Sequence, residues 1–332
     1  MHQVLLIGCG AIAGGYDSDR PAGASPLTHA GAFTRDTRFA VAACIDPDEA
    51  RREAFARRWA VPHHAAAIAD LGTQAGAFDV ISICSPTAFH ASHLEAALAL
   101  KPRLIFCEKP VAERAGDTAR MIRDCERAGV SLAVNHTRRW APDLVQLAQD
   151  LRADRYGAVL SAVGHYGKGV IHNGGHLLDL LQMLLGEPEL VAVGRPTYDH
   201  WDTDPSVPAL LHTRDGASVH LVAGDARAFT QFELVLTTQR GEIAMRDGGA
   251  RIETRSVIES KTFAGYRTLG SAVSVDGRYE EAMTRAVDNI AGRLENGAAL
   301  ASTGYNALAA QEICEAILQA STDHQSRESR NT

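Results

Sequence analysis

Residues 4–17 read VLLIGCGAIAGGYD. A run of apolar residues from Val4 to Ile7 ends at once in a glycine-rich turn, with Gly8, Gly10 and Ala13 in a G-x-G-x-x-A pattern. Each position has a physical task. Gly8 permits a tight turn, Gly10 lets backbone approach a pyrophosphate, and Ala13 allows a helix to pack closely on the strand. Ala11 and Ile12 lie between them, where backbone N–H groups at a helix start favour an anion. Taken alone the pattern is a weak signal, because a glycine-rich turn needs no ligand.

The flanking sequence gives the motif its context. Apolar strands are expected at 4–7, 39–45, 80–84, 104–107 and 130–134, with helices at 48–59, 88–99 and 116–128 between them. Strands that are apolar on both faces and separated by helices imply a parallel sheet covered on both sides. The expected class is therefore α/β, with an N-terminal doubly wound, dinucleotide-binding domain over residues 1–136. After residue 135 the rhythm changes. Helices are expected at 141–151 and 176–185, a strand at 158–164, and a series of strands from 190 to 266, where Phe232, Leu234 and Leu236 alternate with other residues. Closing helices are expected at 279–294 and 305–320. This predicts a C-terminal α+β domain over 137–322 with a mostly antiparallel open sheet, polar on one face, and a flexible polar tail at 323–332.

The second strand ends in Asp46. A carboxylate there can bind both hydroxyls of an adenosine ribose and repels a 2′-phosphate, so NAD is expected over NADP. The same position also suits a cap for the next helix. Arg51 and Arg52 follow closely, and helical spacing is expected to point them elsewhere. Asp46 lies 36 residues after Gly10, against roughly 20 in the usual fingerprint. The excess is assigned to residues 17–31, DSDRPAGASPLTHAG, read as an enlarged loop beside the cofactor phosphates. It is either a flap over ligand or a tolerated surface insertion.

Composition excludes several classes. The 332 residues carry a formal net charge of -7, with 22% charged and 45% hydrophobic residues. That balance lacks the basic face a nucleic-acid partner needs. No apolar run approaches the roughly 18 residues of a membrane span. Met1 and His2 lead directly into a strand, so no targeting segment and a cytoplasmic location are expected. The cysteines at 9, 44, 84, 107, 125 and 314 form no C-x-x-C pair and read as small buried hydrophobes in a reduced compartment.

Four further segments, SPTAFH (85–90), FCEKPVA (106–112), NHTRRW (135–140) and GGHLLDLLQMLLGEP (174–188), fall in an order and spacing that resemble the Gfo/Idh/MocA oxidoreductases over the whole chain. The resemblance implies a Rossmann domain followed by a substrate domain whose open sheet often forms an oligomer interface, hence a homodimer or homotetramer. It implies that Lys109 of EKP sits between nicotinamide and substrate, that Pro110 follows a cis peptide, and that His176 transfers the proton. It also implies that Ser85, Pro86, His90 and Glu108, with Lys109, contact the cofactor. The chemistry agrees: an imidazole titrating near neutral pH can take a hydroxyl proton while an ammonium stabilises the developing alkoxide. Asp179, one helical turn beyond His176, could orient it or be structural.

Many members of that family carry aspartate four residues before the histidine; here the position is His172. Histidine can donate, accept or shuttle a proton but lacks the permanent charge. His172 and His176 at i and i+4 could suggest a metal pair. Asn173-Gly174-Gly175 is, however, expected to make a poor helix, and no ligand set completes it, so no metal is expected. Asn135, Arg139, Tyr166, Lys168 and Asn173 are candidate substrate-binding residues by resemblance. The WDTDP cluster at 201–205 is given no role. The reading is an NAD(H)-dependent oxidoreductase acting on a carbinol or carbonyl of a sugar, cyclitol or nucleotide sugar. The alternatives are a redox-neutral enzyme with tightly bound NAD, such as an epimerase or glycosidase, and a non-catalytic dinucleotide-binding sensor.

Overall fold

The computed structural model describes the whole chain except Ala22, residues 73–75 and Thr332, and only the backbone of 324–331. The chain divides into two compact units, Met1–Ala141 with Glu280–Leu308, and Pro142–Tyr279 with Ala309–Thr332.

The first unit is built on six parallel strands: β1 (His2–Ile7), β2 (Phe39–Ile45), β3 (His63–Ala65), β4 (Val80–Ile83), β5 (Leu104–Cys107) and β6 (Ser131–Val134). Their order is β3-β2-β1-β4-β5-β6. The chain reverses its direction of travel between β1 and β4, so a crevice opens at their carboxyl ends. Leu5, Leu6, Ile7, Ile81, Ile83 and Phe106 are all buried, as strands covered on both faces must be. Strand β3 escaped the sequence reading because its HHA has no apolar run and two of its three residues are exposed. Helices α1 (His29–Arg35), α2 (Glu49–Trp59), α3 (His90–Ala99) and α4 (Ala115–Ala128) connect the strands.

The second unit contains α5 (Pro142–Arg152), β7 (Val159–Tyr166) and α6 (Gly175–Leu185). Strands β8 (Glu189–Val193), β9 (Thr197–Trp201), β10 (Asp204–Ser206), β11 (Ala209–His212) and β12 (Ser218–Ala223) follow. After them come β13 (Glu233–Thr238), β14 (Gly241–Arg246), β15 (Arg251–Glu259), β16 (Arg267–Leu269) and β17 (Val273–Asp276). The large sheet runs β16-β15-β14-β13-β7-β12-β11-β8, with β17 also on β15. Only β7 and β12 pair in parallel; every other pair is antiparallel. The expected polar face is present: by register Ser161, His165, Ser218, His220, Glu233, Thr237, Glu242 and Arg246 share one face, opposite the buried Leu234, Leu236, Ile243 and Met245. Strands β9 and β10 form a separate hairpin where the sequence suggested a loop.

Two further helices, α7 (Ala282–Asn296) and α8 (Gly304–Asn331), close the chain. Residues 280–308 return to the first unit, where the sequence reading kept 137–322 together. The Trp140 indole donates to Asn289 Oδ1 at 3.0 Å, and Ser302 Oγ donates to the Val134 carbonyl at 2.7 Å. Such pairings tie sequence-distant segments and leave no local trace. Backbone of α8 continues through the stretch expected as a tail. All six cysteines are buried thiols.

Candidate active site

The glycine turn has the form the fingerprint requires. Gly8 has φ +92°, and a Cβ there would lie 2.8 Å from Ser85 N and 2.9 Å from the Cys84 carbonyl. Only glycine lets the ends of β1 and β4 come this close. A Cβ on Gly10 would meet nothing within 4 Å. The space over that backbone is open, as a cradle for a pyrophosphate must be. Asp46 is 4% exposed and accepts from Cys9 N and Asp48 N, both at 2.9 Å. A cavity of about 510 Å³ opens beside it, lined by Gly8, Asp46, Arg51, Ser85, Pro86 and Phe89 among others. These residues fit a dinucleotide.

Two expectations change here. Arg51 was expected to point away, yet its Nη1 lies 3.4 Å from Asp46 Oδ1 and it lines the cavity; Arg52 donates to the Asp46 carbonyl at 2.7 Å. His90, expected against the cofactor, is 1% exposed. Its Nε2 lies 2.7 Å from the Ser85 carbonyl and its Nδ1 3.0 Å from the Pro110 carbonyl. It braces the two turns from beneath. His93, which the sequence reading missed, lines the cavity instead and meets Ser85 Oγ through Nδ1 at 2.8 Å. Burial, then the neighbouring His90, lowers its pKa.

The excess length between Gly10 and Asp46 has a physical form. The chain leaves the phosphate turn after Ala13 and comes back at α1, where His29 N donates to the Ile12 carbonyl and Ala30 N to the Ala13 carbonyl. Helical bonding therefore bridges an insertion, and without it the spacing falls to about 20, the usual fingerprint distance. The insertion is pinned at its base. Buried Asp17 accepts from Leu27 N at 3.0 Å, Thr28 N at 3.0 Å and Thr28 Oγ1 at 2.5 Å. Of the expected loop 17–31, Ala22 lies outside the described residues, and residues 29–31 are helix rather than loop.

At the end of β5 the Lys109–Pro110 peptide is cis, as the resemblance implied. Lys109 is half-buried. Its backbone N–H donates to Glu108 Oε2 at 3.3 Å. The other oxygen, Oε1, accepts from Asn135 Nδ2 at 2.6 Å and lies 2.8 Å from His29 Nε2. His29 is fully buried, and its Nδ1 lies 2.7 Å from Ser82 Oγ. Burial alone would push the Glu108 carboxyl up; His29, Asn135 and the Lys109 charge hold it below the ordinary range. Burial likewise opposes an imidazolium at His29, but Cys84 and Glu108 outweigh it and raise the group to about 10. Asn135, a substrate-binding candidate, is 2% exposed and spends its amide on Glu108. Arg139 is also buried. His29 was missed because nothing local marks it.

In the second unit His176 is half-buried in the first turn of α6, and Asp179 is buried one turn further on. The preceding residues, Gly169–Gly174, form a π-helix, where a poor helix was expected. Such wide turns recur at functional sites. Asp204 of the hairpin holds it: Oδ1 accepts from Ile171 N at 2.9 Å and Oδ2 from His172 N at 3.0 Å. His172 is exposed, with its ring 4.6 Å from that of Trp201, and Asn173 is half-buried. The WDTDP cluster therefore has a role in shaping this segment. Lys168 takes φ +59°, and buried Asp199 accepts its backbone N–H at 2.8 Å. Tyr166 is fully buried, with its hydroxyl donating to the Val207 carbonyl at 2.7 Å and accepting from Val207 N at 2.9 Å. It is a structural group rather than a substrate ligand. Among the described residues no three His, Cys, Asp or Glu side chains gather as a metal site, and no helix is long and apolar enough to cross a membrane.

Residues 2–136 match the oxidoreductase family GFO_IDH_MocA, NAD-binding Rossmann fold. Over these residues the chain is similar to the NAD-binding domain of the Gfo/Idh/MocA oxidoreductases. The chain is 26% identical over 302 residues to the D-xylose 1-dehydrogenase (NADP(+)) 2 of Haloferax volcanii, covering 78% of this chain and 91% of that one. It is 26% identical over 271 residues to the inositol 2-dehydrogenase of Rhizobium meliloti, covering 73% and 78%. Its fold is similar to that of an oxidoreductase from Agrobacterium radiobacter solved with NAD+, L-tartaric acid and magnesium, at TM-score 0.74, 19% identity and 97% coverage of each chain. The Haloferax volcanii and Rhizobium meliloti relatives are both named as dehydrogenases.

Proposed function

We propose that the protein is an NAD(H)-dependent dehydrogenase or ketoreductase acting on a carbinol or carbonyl carbon of a sugar, cyclitol or nucleotide sugar. The observation that carries the reading is the turn of Glu108, Lys109 and cis-Pro110 at the carboxyl end of β5, in the same sheet as the Gly8–Asp46 cradle. A bound nicotinamide supplies the hydride acceptor or donor. The Lys109 ammonium stabilises charge on the substrate oxygen, His176 takes or returns the hydroxyl proton, and Asp179 orients His176. Ser85, Pro86 and Glu108 serve the cofactor side, and Lys168, His172 and Asn173 the substrate side.

NAD is favoured by Asp46, whose buried carboxylate would repel a 2′-phosphate. Arg51 beside it favours the opposite choice and makes NADP the second candidate. A homodimer or homotetramer, joined through the open sheet of the second unit, is the assembly that the family resemblance supports. The six buried thiols support a cytoplasmic location. The test is a panel of sugars, cyclitols and oxo-sugars followed at 340 nm in both directions with each cofactor. Turnover with at least one, reduced 100-fold or more by Lys109→Ala or His176→Ala, is the expected result. No absorbance change and no nucleotide binding would overturn it.

A further inference from the structure

Beneath the Glu108–Lys109 turn lies a chain of buried polar groups that hydride transfer itself does not require. It runs from Ser82 Oγ on β4 to His29 Nδ1 at 2.7 Å, and through His29 Nε2 to Glu108 Oε1 at 2.8 Å. Asn135 Nδ2, just after β6, joins the same carboxylate oxygen at 2.6 Å. Groups from three other elements thus converge, directly or through His29, on one carboxylate. The order hydroxyl, imidazole, carboxylate resembles a nucleophilic triad. Ser82 is fully buried, however, and cannot reach a substrate.

The other carboxylate oxygen accepts the backbone N–H of Lys109, and the Lys109 charge adds to His29 and Asn135 in holding Glu108 ionised. The carboxylate is thus fixed on one side by two buried groups, while on the other it holds the Lys109 backbone and feels the charge of that side chain. The insertion matters here, because the bonds of His29 N to Ile12 O and of Ala30 N to Ala13 O set where α1 begins and so where the imidazole reaches. Cys84 Sγ, 3.5 Å from Ser82 Oγ, is the remaining titratable group at this end of the chain.

We infer that His29 and Asn135 are positioning residues that act through Glu108 to fix the place and charge of the Lys109 ammonium. This rests on the reading of Lys109 as the group at the transfer site, but the coupling can be measured without turnover. The chain has four lysines, at 101, 109, 168 and 261. Reductive 13C-methylation therefore gives few NMR signals, each assignable by a Lys→Arg variant, and each titration curve reports one amine.

Glu108→Gln is expected to lower the apparent pKa of Lys109 by about one unit or more. His29→Gln is expected to move it by about half a unit or more in the native background and by less than about 0.2 in the Glu108→Gln background, the signature of an effect relayed through one residue. The Lys101 and Lys261 signals, unchanged, would report an intact fold. Equal shifts in both backgrounds, no shift in either, or a Lys109 titration indifferent to Glu108→Gln would overturn the inference. If His29→Gln does not fold, Asn135→Ala enters the same cycle with the same outcomes. A native protein that turns over no substrate counts against the proposed activity, while the titration still decides the coupling.

Discussion

His29 Nε2 lies 2.8 Å from Glu108 Oε1, a pairing that spans 79 positions of sequence inside the first unit. The pair makes folding depend on pH. His29 rises from an ordinary value of 6.5 to about 10. Its contribution is therefore complete below about pH 6.5 and lost as pH climbs through 10. Glu108 is held low, so its contribution is present above its ordinary value and lost as pH falls through the lowered one. Thermal unfolding followed by circular dichroism should give a Tm that declines from pH 6.5 to 10, and declines less in His29→Gln. Parallel curves for the two proteins would show that the pair is not the cause.

The two fingerprint glycines should fail differently. Gly8→Ala places a Cβ 2.8 Å from Ser85 N at φ +92°, and should destabilise the fold by about 1–3 kcal/mol. Gly10→Ala meets no protein atom within 4 Å, so its urea midpoint should match the native one while NADH binding is lost. Equal urea midpoints for Gly8→Ala and the native protein would refute the close approach of β1 to β4.

Asp46 should decide between cofactors. Asp46→Ser removes the carboxylate and leaves Arg51 beside the cavity. Fluorescence titration should show NADH binding weakened about tenfold, in line with the loss of one hydrogen bond to a charged group. NADPH binding should tighten. An unchanged ratio of the two affinities would remove Asp46 from the selectivity.

Asp17 should hold the insertion closed. Its carboxylate gathers Leu27 N, Thr28 N and Thr28 Oγ1. Asp17→Ala leaves these donors without their acceptor, at a cost of about 1–3 kcal/mol. Limited digestion with a protease that cuts before aspartate should then cleave at Asp19 in the variant well before it does in the native protein. The same cleavage rate in both would show that the loop is held by something else.

Tyr166→Phe tests a role the structure reassigns. The variant strips the Val207 N–H and carbonyl of their shared partner inside the core. Stability should fall by about 1–3 kcal/mol in urea, with KM for any substrate found unchanged. A raised KM at native stability would restore Tyr166 to the substrate site.

The fold class could be read from residues in order, because strands buried on both faces must be apolar throughout and the helices between them must not be. The turn at Gly8 and Gly10 and the carboxylate at Asp46 were legible as short patterns at strand ends, although the atoms that crowd Gly8 come from Cys84 and Ser85. The directions of Arg51, His90 and Tyr166 were not. A position on a helix or strand limits where a side chain can point, but the partner that captures it comes from another element.

What the sequence determined by itself is the alternation that makes a doubly wound sheet, the phosphate turn at its first strand, and the EKP segment that marks the family. Only tertiary structure decided that α1 bonds back to Ile12 and Ala13 across the insertion, or that His29 and Asn135, 106 residues apart, meet at Glu108. Local pattern is set by backbone geometry repeating every two or three to four residues. A buried hydrogen-bond network is set by the order in which strands lie side by side, and that order exists only once the chain has folded.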